Sequence, residues 1–579
     1  AGAVDEEAAR ALGARLGAGS VLMGSAVAAG PAVRLSAELL AVDGGTLARA
    51  QVQGPAADAL ALVDSLSMSI VREIWVAREP VPTAELSAVT TGSMEALREY
   101  LQGESWFRAS LWDSAAAHFE RAVAIDTAFA LAHMRLSNTY GWSELQGAPR
   151  SVAAMERAWR FADRLPQRER AVLRAARLRT VDRDGPGALD SLRAYVGRYP
   201  DDVHAWELLA DIQFHERVAQ ELGRGEVLAA FERVNQLDPH LGPALIHPLE
   251  MTLGRDSAAY RTWLERYEGA AAAADAAPYR RVERVLWAGE GRLPDLVDEL
   301  VPERTSLAGR TVGAAIEVGR IPGREVLEAA RRMAPFAGGR ANWLGNVSHY
   351  YSALGRTALA GVAADSLERL APGAAANVRA VGALVGLGPP LDPSSLDRLG
   401  QNRAPWGEVL PSTLRAGVAL REGRLDEAER YLDEAAAVPD PTSAGAAGFV
   451  DGLRGRVLVV RGDTAGGLDL MASALAVLAD GDDLATGNRH LFRLPWLAVR
   501  AAWSGGPPSA MADLEGAQVQ LPQQEVLRHE ALARAREARG DTSGALVEYR
   551  ALLTLWDDVD PELQPRVEAV RAAVARLGG

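Results

Sequence analysis

The spacing of small and aromatic residues constrains this chain more than any other feature. Gly103, Ala115, Phe119 and Ala122 sit 12, 4 and 3 residues apart. Two helices approach closely only where small residues face each other, with a larger side chain filling the groove a turn further on. The frame recurs. Ala154, Ala158 and Phe161 precede Pro166, and 34 residues later Ala188, Leu192 and Tyr195 precede Pro200. Trp206, Leu209 and Ala210 then pair with Phe231, Val234 and Pro239. Ala360, Ala364 and Leu367 precede Pro372, and Ala428, 68 residues after Ala360 or twice 34, is followed by Leu432 and Ala435. Gly455 with Gly467, then Ala533, Ala545, Tyr549 and Leu552, carry it to the end. The proline cannot continue a helix and closes each unit. Some intervals are 39, which implies longer connections near residues 145–150 and 480–488.

A period of about 34 residues, with small residues at positions 8 and 20, an aromatic or leucine at 24 and a small residue at 27, is that of a tetratricopeptide repeat. The expected fold is therefore mainly α: a tetratricopeptide-repeat α-solenoid preceded by a small, incomplete α/β domain. The expected organisation is an α/β domain over 1–76, a linker over 77–92, and two parts of one helical array over 93–345 and 346–579. Each hairpin buries its apolar face against its neighbours, and the stack presents a concave groove lined by the first helix of each repeat, helix A. Residues 269–345 follow the period poorly and residues 386–403 are rich in glycine and proline, so both read as bends or degenerate repeats.

The first ninety residues have another texture. Residues 5–16 read as a helix with Asp5, Glu6 and Glu7 in its first turn, where acids suit the helix dipole. Residues 20–27, 33–42 and 47–52 read as strands, the second alternating Val33, Leu35, Ala37 and Leu39 with Arg34, Ser36 and Glu38. Ala29-Gly30-Pro31 and Asp43-Gly44-Gly45-Thr46 supply the turns. Residues 56–75 read as a helix with Leu60, Val63, Leu66, Ile70 and Ile74 on one face.

This segment resembles the TolB-like domain of bacterial regulators, through residues 11–18 (Ala-Leu-Gly-Ala-Arg-Leu-Gly-Ala), 21–25 (Val-Leu-Met-Gly-Ser) and 33–39 (Val-Arg-Leu-Ser-Ala-Glu-Leu). The resemblance implies an opening strand and helix that are missing here, hence an unpaired sheet edge open to self-association. Residues 93–103 (Ser-Met-Glu-Ala-Leu-Arg-Glu-Tyr-Leu-Gln-Gly), 128–132 and the ending 555–563 (Leu-Trp-Asp-Asp-Val-Asp-Pro-Glu-Leu) are similar to TolB-like/tetratricopeptide regulators, nearest to the carboxy-terminal region of bacterial serine/threonine protein kinases. No Gly-rich loop, His-Arg-Asp or Asp-Phe-Gly of a kinase head is present. The resemblance implies a periplasmic or extracytoplasmic setting, with the cytoplasm as the alternative.

Composition narrows the chemistry. The chain of 579 residues has 76 acids against 62 basic residues, a net charge of −14, which argues against nucleic acid as a partner. It has no cysteine and no lysine, so thiol catalysis, Cys-based metal sites and lysine nucleophiles are excluded. The uncharged run over 16–33 carries Gly17, Gly19, Gly24, Gly30 and Pro31, turn chemistry unlike that of a membrane span, so no direct membrane insertion is expected. His215-Glu216-Arg217-Val218-Ala219 begins like a zinc-protease motif but has Ala219 where the second histidine must stand. Gly223-Arg224-Gly225 has no third glycine and reads as a turn between helices, and Asp480-Gly481-Asp482-Asp483 lacks the ligand spacing of a calcium loop. No catalytic, metal or cofactor site is expected.

The leading functional reading is a non-catalytic interaction and sensing scaffold that binds a protein or peptide in the concave groove, within a larger bacterial regulator. The alternatives are a structural subunit of an envelope-associated assembly and a solenoid enzyme acting on glycans. Groove positions 2, 5, 9, 12 and 13, carried onto this register, give Tyr100, Phe107, Arg108, Asn138, Trp142, Asp211 and His215 as expected partner-binding residues. Arg108, Asn138 and Asp211 are the preferred ones, because the repeat core does not require them.

Overall fold

A computed structural model of the chain describes residues 5–78, 91–144, 147–217, 222–336, 339–388, 410–437, 444–480, 486–503, 509–517, 519 and 521–578. Most of the expected linker over 77–92, Ala219, most of the Gly/Pro-rich stretch over 386–403 and residues 481–483 of the acidic turn lie outside the described residues.

The amino-terminal segment forms a helix, three strands and a helix. α1 (Glu6–Arg15) is capped by Asp5, whose carboxylate accepts from the Ala8 amide at 2.8 Å. β1 (Ser20–Ala29), β2 (Ala32–Ala41) and β3 (Thr46–Pro55) pair antiparallel in that order. Gly30 (φ +65°), Gly44 (+131°) and Gly45 (+77°) make the turns, conformations that side chains with a Cβ rarely adopt. α2 (Ala59–Arg78) lies across β2 and β3, burying Ile70 against Ala37, Ala48 and Ala50. The outer edge of β1 has no strand partner among the described residues, and Leu22 and Val27 on it are 61% and 59% exposed. Among the described residues this is the only sheet, as the helical periodicity beyond residue 93 requires.

The remainder is a tetratricopeptide-like α-solenoid built from helical hairpins. The chain divides into two compact units, Ala1–Gln213 with Ala230–Ala244 and Ala270–Ala272, and Phe214–Ala229 with Leu245–Gly269 and Ala273–Gly579. In the first unit α3 (Met94–Arg108) pairs with α4 (Trp112–Ile125), α5 (Ala130–Ser143) with α6 (Pro149–Arg160), and α7 (Gln167–Arg177) with α8 (Gly185–Arg198). Gly103 shows why the small position is small: a Cβ there would lie 2.7 Å from the Phe119 ring. Ala115, Phe119 and Ala122 are fully buried, as that register demands. α9 (Val203–Glu216), α10 (Arg224–Leu237) and α11 (Pro243–Thr252) follow.

The second unit continues with α12 (Ser257–Ala270), α13 (Ala273–Glu283), α14 (Leu293–Val318), α15 (Gly323–Arg332), α16 (Arg340–Ala353), α17 (Thr357–Glu368) and α18 (Pro372–Val385). The described residues of the stretch 269–345 are thus helical hairpins too, and their lost periodicity has local causes. A π-helical turn at Arg284–Ala288 adds residues to the turn, and Pro278 and Pro302 sit inside α13 and α14. Arg304 kinks α14 at φ −139°, ψ 51°. Each device rotates the apolar stripe out of register.

Next come α19 (Leu410–Arg421), α20 (Leu425–Ala436), α21 (Ala444–Arg461) and α22 (Thr464–Asp480). α21 and α22 cross backbone to backbone. A Cβ on Gly467 would lie 2.4 Å from the Gly455 carbonyl oxygen and 3.0 Å from the Val459 amide nitrogen. Backbone cannot swing aside as a side chain does, so Gly467→Ala is expected to destabilise the protein at the upper end of ~1–3 kcal/mol. An unchanged urea midpoint would mean that the two helices do not meet there.

The chain ends with α23 (Thr486–Ala502), α24 (Ser509–Glu515), α25 (Pro522–Ala538), α26 (Thr542–Leu555) and α27 (Gln564–Arg576). In a simple array each repeat touches only its neighbours. Here residues 555–560 dock onto helices two hundred residues earlier. Trp556 is fully buried and its indole N–H donates to the Ala353 carbonyl at 3.1 Å. The Asp557 carboxylate accepts from the Arg324 amide at 3.1 Å in the first turn of α15. Asp560 accepts from the Ala358 amide at 2.8 Å in the first turn of α17, while its own amide donates to the Gly355 carbonyl at 2.9 Å. The acids of the ending therefore satisfy unpaired amide donors at the starts of two distant helices. Arg356 adds ion pairs to Asp558 and Asp560.

Candidate functional site

The helix-A side of the first unit carries a charged cluster that no apolar core needs. At its centre is Arg135 on α5, almost fully buried. Its Nε and Nη2 donate to the two Glu104 oxygens at 2.6 and 2.9 Å, a bidentate pair between α5 and α3. Nη1 reaches Glu207 on α9 at 3.5 Å. Nη2 also lies 2.9 Å from His204 Nδ1. The guanidinium stands 4.8 Å from the centre of the Phe107 ring.

Electrostatics lock the pair in its charged form. Burial acts to raise the Glu104 carboxyl, but Arg135 and then His204 outweigh it and hold it below the usual range. Burial acts to lower Arg135, but Glu104 and then Glu207 keep it firmly protonated. Burial, then the Glu104 charge, push the Tyr100 hydroxyl well above its ordinary value. A carboxyl depressed on folding stabilises the fold above its unfolded pKa. That contribution is lost as pH falls through the folded value.

The expected partner-binding residues fall into distinct environments. Tyr100 is half-buried, with its ring tilted against Phe119 and Phe129 at 5.7 and 5.1 Å. Phe107 is fully buried and edge-on to Trp112 at 5.5 Å, so it presents no surface and supports the cluster from beneath. Arg108 pairs with Asp238, and its carbonyl accepts from the Gly242 amide at 2.9 Å, so it ties α3 to the end of α10. Asn138 and Trp142 are half-buried on α5, three and seven residues beyond Arg135 and hence on its face of the helix. Trp142 stacks on Trp112, with centroids 5.0 Å apart and planes 5° apart. Asp211 is half-buried on α9. His215, exposed, belongs to the second unit, where its ring stands edge-on to His247 at 5.0 Å.

Arg135 itself was not an expected site residue. The only signal for it is an arginine within a run of α5 residues that all become buried, facing Glu104 one repeat before it and Glu207 two repeats after it.

No family model and no curated protein matches this chain. Solved structures similar to it include the Cut9–Hcn1 hetero-tetramer of the APC/C, 12% identical, covering 84% of this chain and 99% of that one at a TM-score of 0.25. The TPR domain of P58(IPK) is 12% identical and covers 83% and 98% at 0.18. The Naa15/Naa10 complex bound to HypK is 13% identical and covers 84% and 74% at 0.19. The repeat assignment rests on the hairpin packing above and not on these scores. No helix among the described residues is long and apolar enough to cross a membrane.

Proposed function

We propose that this chain is a non-catalytic interaction scaffold that holds an extended protein segment against the helix-A face of its first unit. The observation that carries the reading is the stripe on α5. The Trp112–Trp142 stack and Asn138 lie half-buried beside an ion cluster that is already complete. Asn138 makes no hydrogen bond or ion pair among the described residues, so its amide is available to the backbone of an extended segment. A half-exposed aromatic pair next to such an amide has the make-up of an anchor pocket. The occupant fitting it carries one large apolar side chain for the tryptophans and a basic residue, in keeping with a chain of net charge −14. The bacterial regulatory setting, with its TolB-like domain and kinase relation, rests on the sequence resemblances alone.

The test is selection of displayed peptides on the full chain, with an Asn138→Ala/Trp142→Ala variant as the counter-target. Enriched peptides should pair an aromatic with a basic residue and lose at least tenfold in affinity for the variant. Peptides that bind both proteins equally would overturn the proposal.

A further inference from the structure

A second charged constellation lies wholly within the second unit, around a cavity of about 340 Å³. Its floor is an ordered network. Arg255 donates to Glu317 at 3.1 Å and to Glu525 at 3.0 Å, and Arg528 donates to Glu525 at 2.8 Å. His529 places Nδ1 2.6 Å from Glu548 and Nε2 3.0 Å from the Ile316 carbonyl. Arg536 donates to Glu548 at 2.7 Å and to Glu515 at 3.1 Å. Gly254 closes one side. At φ +83°, a Cβ there would lie 2.6 Å from the Glu317 carboxylate.

One member of the lining has no counterpart. Arg224, from the Gly223-Arg224-Gly225 turn that opens α10, borders the cavity and makes no hydrogen bond or ion pair among the described residues. It is half-buried. Burial, then Arg255, push its guanidinium down to about 9, and Glu317 opposes them only in part. Burial, then the neighbouring Glu525 charge, push Glu317 above the ordinary carboxyl range, and the cavity's other acids are paired with Arg255, Arg528, His529 and Arg536. A half-buried cation without a counter-ion is a ready partner for an anion, and a guanidinium fork matches two oxygens of one oxyanion.

We propose that this cavity is a binding site for a small oxyanion, a carboxylate or phosphate group held by Arg224, with Arg255, Arg528 and Arg536 fixed by their acids in the same lining. The arginines in the floor are already paired and supply field rather than fresh donors, so Arg224 is the residue on which affinity depends. The volume suits a small molecule, not a folded partner. The site is independent of the helix-A face of the first unit and can exist whether or not that face binds a peptide.

The experiment is calorimetric titration of the full chain with inorganic phosphate and, separately, with succinate. At least one should bind with 1:1 stoichiometry and raise the melting temperature, and the arm that responds identifies the oxyanion as phosphoryl or carboxylate. Arg224→Gln, which breaks no bond of the fold, should weaken that binding at least tenfold and abolish the thermal shift, and Arg224→Lys should retain part of it. Absence of binding in both arms, or equal binding by Arg224→Gln, would overturn the assignment.

Discussion

Replacing Trp556 by alanine is expected to destabilise the protein by about 3–5 kcal/mol, the cost of removing a fully buried indole that the surroundings cannot refill. The side chain is enclosed between the ends of α16 and α26 and is held by its bond to Ala353. The loss should appear in urea unfolding. In hydrogen exchange, the amides of α15, α16 and α17 should lose protection together with those of α26, because the ending caps the earlier helices through Asp557 and Asp560. Trp556→Phe keeps most of the volume and loses the hydrogen bond, so it should cost only ~1 kcal/mol. Loss of protection confined to α26 and α27 would show that residues 555–560 do not anchor the earlier helices.

Arg135→Met is expected to cost a similar amount, about 3–5 kcal/mol, for a different reason: it leaves the Glu104 carboxylate buried and unpaired. The companion Glu104→Leu/Arg135→Met variant should recover most of the loss, since an apolar pair of like volume has no charge to desolvate. The same linkage fixes the pH dependence. In the parent protein the Glu104 contribution is present at neutral pH and disappears as pH falls below the ordinary carboxyl range. The acid limb of the stability profile should therefore flatten in the double variant. A single variant as stable as the parent would mean that the ion pair is solvated rather than buried.

The hairpins were legible in the sequence because their contacts are short in range and leave a mark in residue size. Gly103 against Phe119, Gly455 against Gly467, and Ala533 with Ala545 and Tyr549 are all contacts between consecutive helices, where backbone approach excludes larger side chains. The sheet was legible for a similar reason, since its turns demand glycine. The period fades over 269–345 because a π-helical turn, two internal prolines and the Arg304 kink shift the stripe without abolishing the helices. The docking of the ending was not legible. It joins residues about two hundred positions apart through aspartates, which in sequence look like ordinary surface acids. Charge burial was missed for the same reason: Arg135 and Arg224 are two among 62 arginines, and only the fold distinguishes a guanidinium clamped between helices from one in water. Phe107 is the converse case: register alone places it at a groove position, and neighbouring rings cover it in the fold.

Whether the helix-A face of the first unit receives a protein segment can be read by site-specific photo-crosslinking. A photoreactive residue is placed at Asn138 on α5 or, as the contrast, at the exposed Ser114 on the helix-B side in α4, and each full chain is irradiated with a peptide selected on the parent protein. A crosslinked product is expected from position 138, suppressed by excess unlabelled peptide, and none from position 114. Crosslinking from position 114 with none from position 138 would contradict binding on that face.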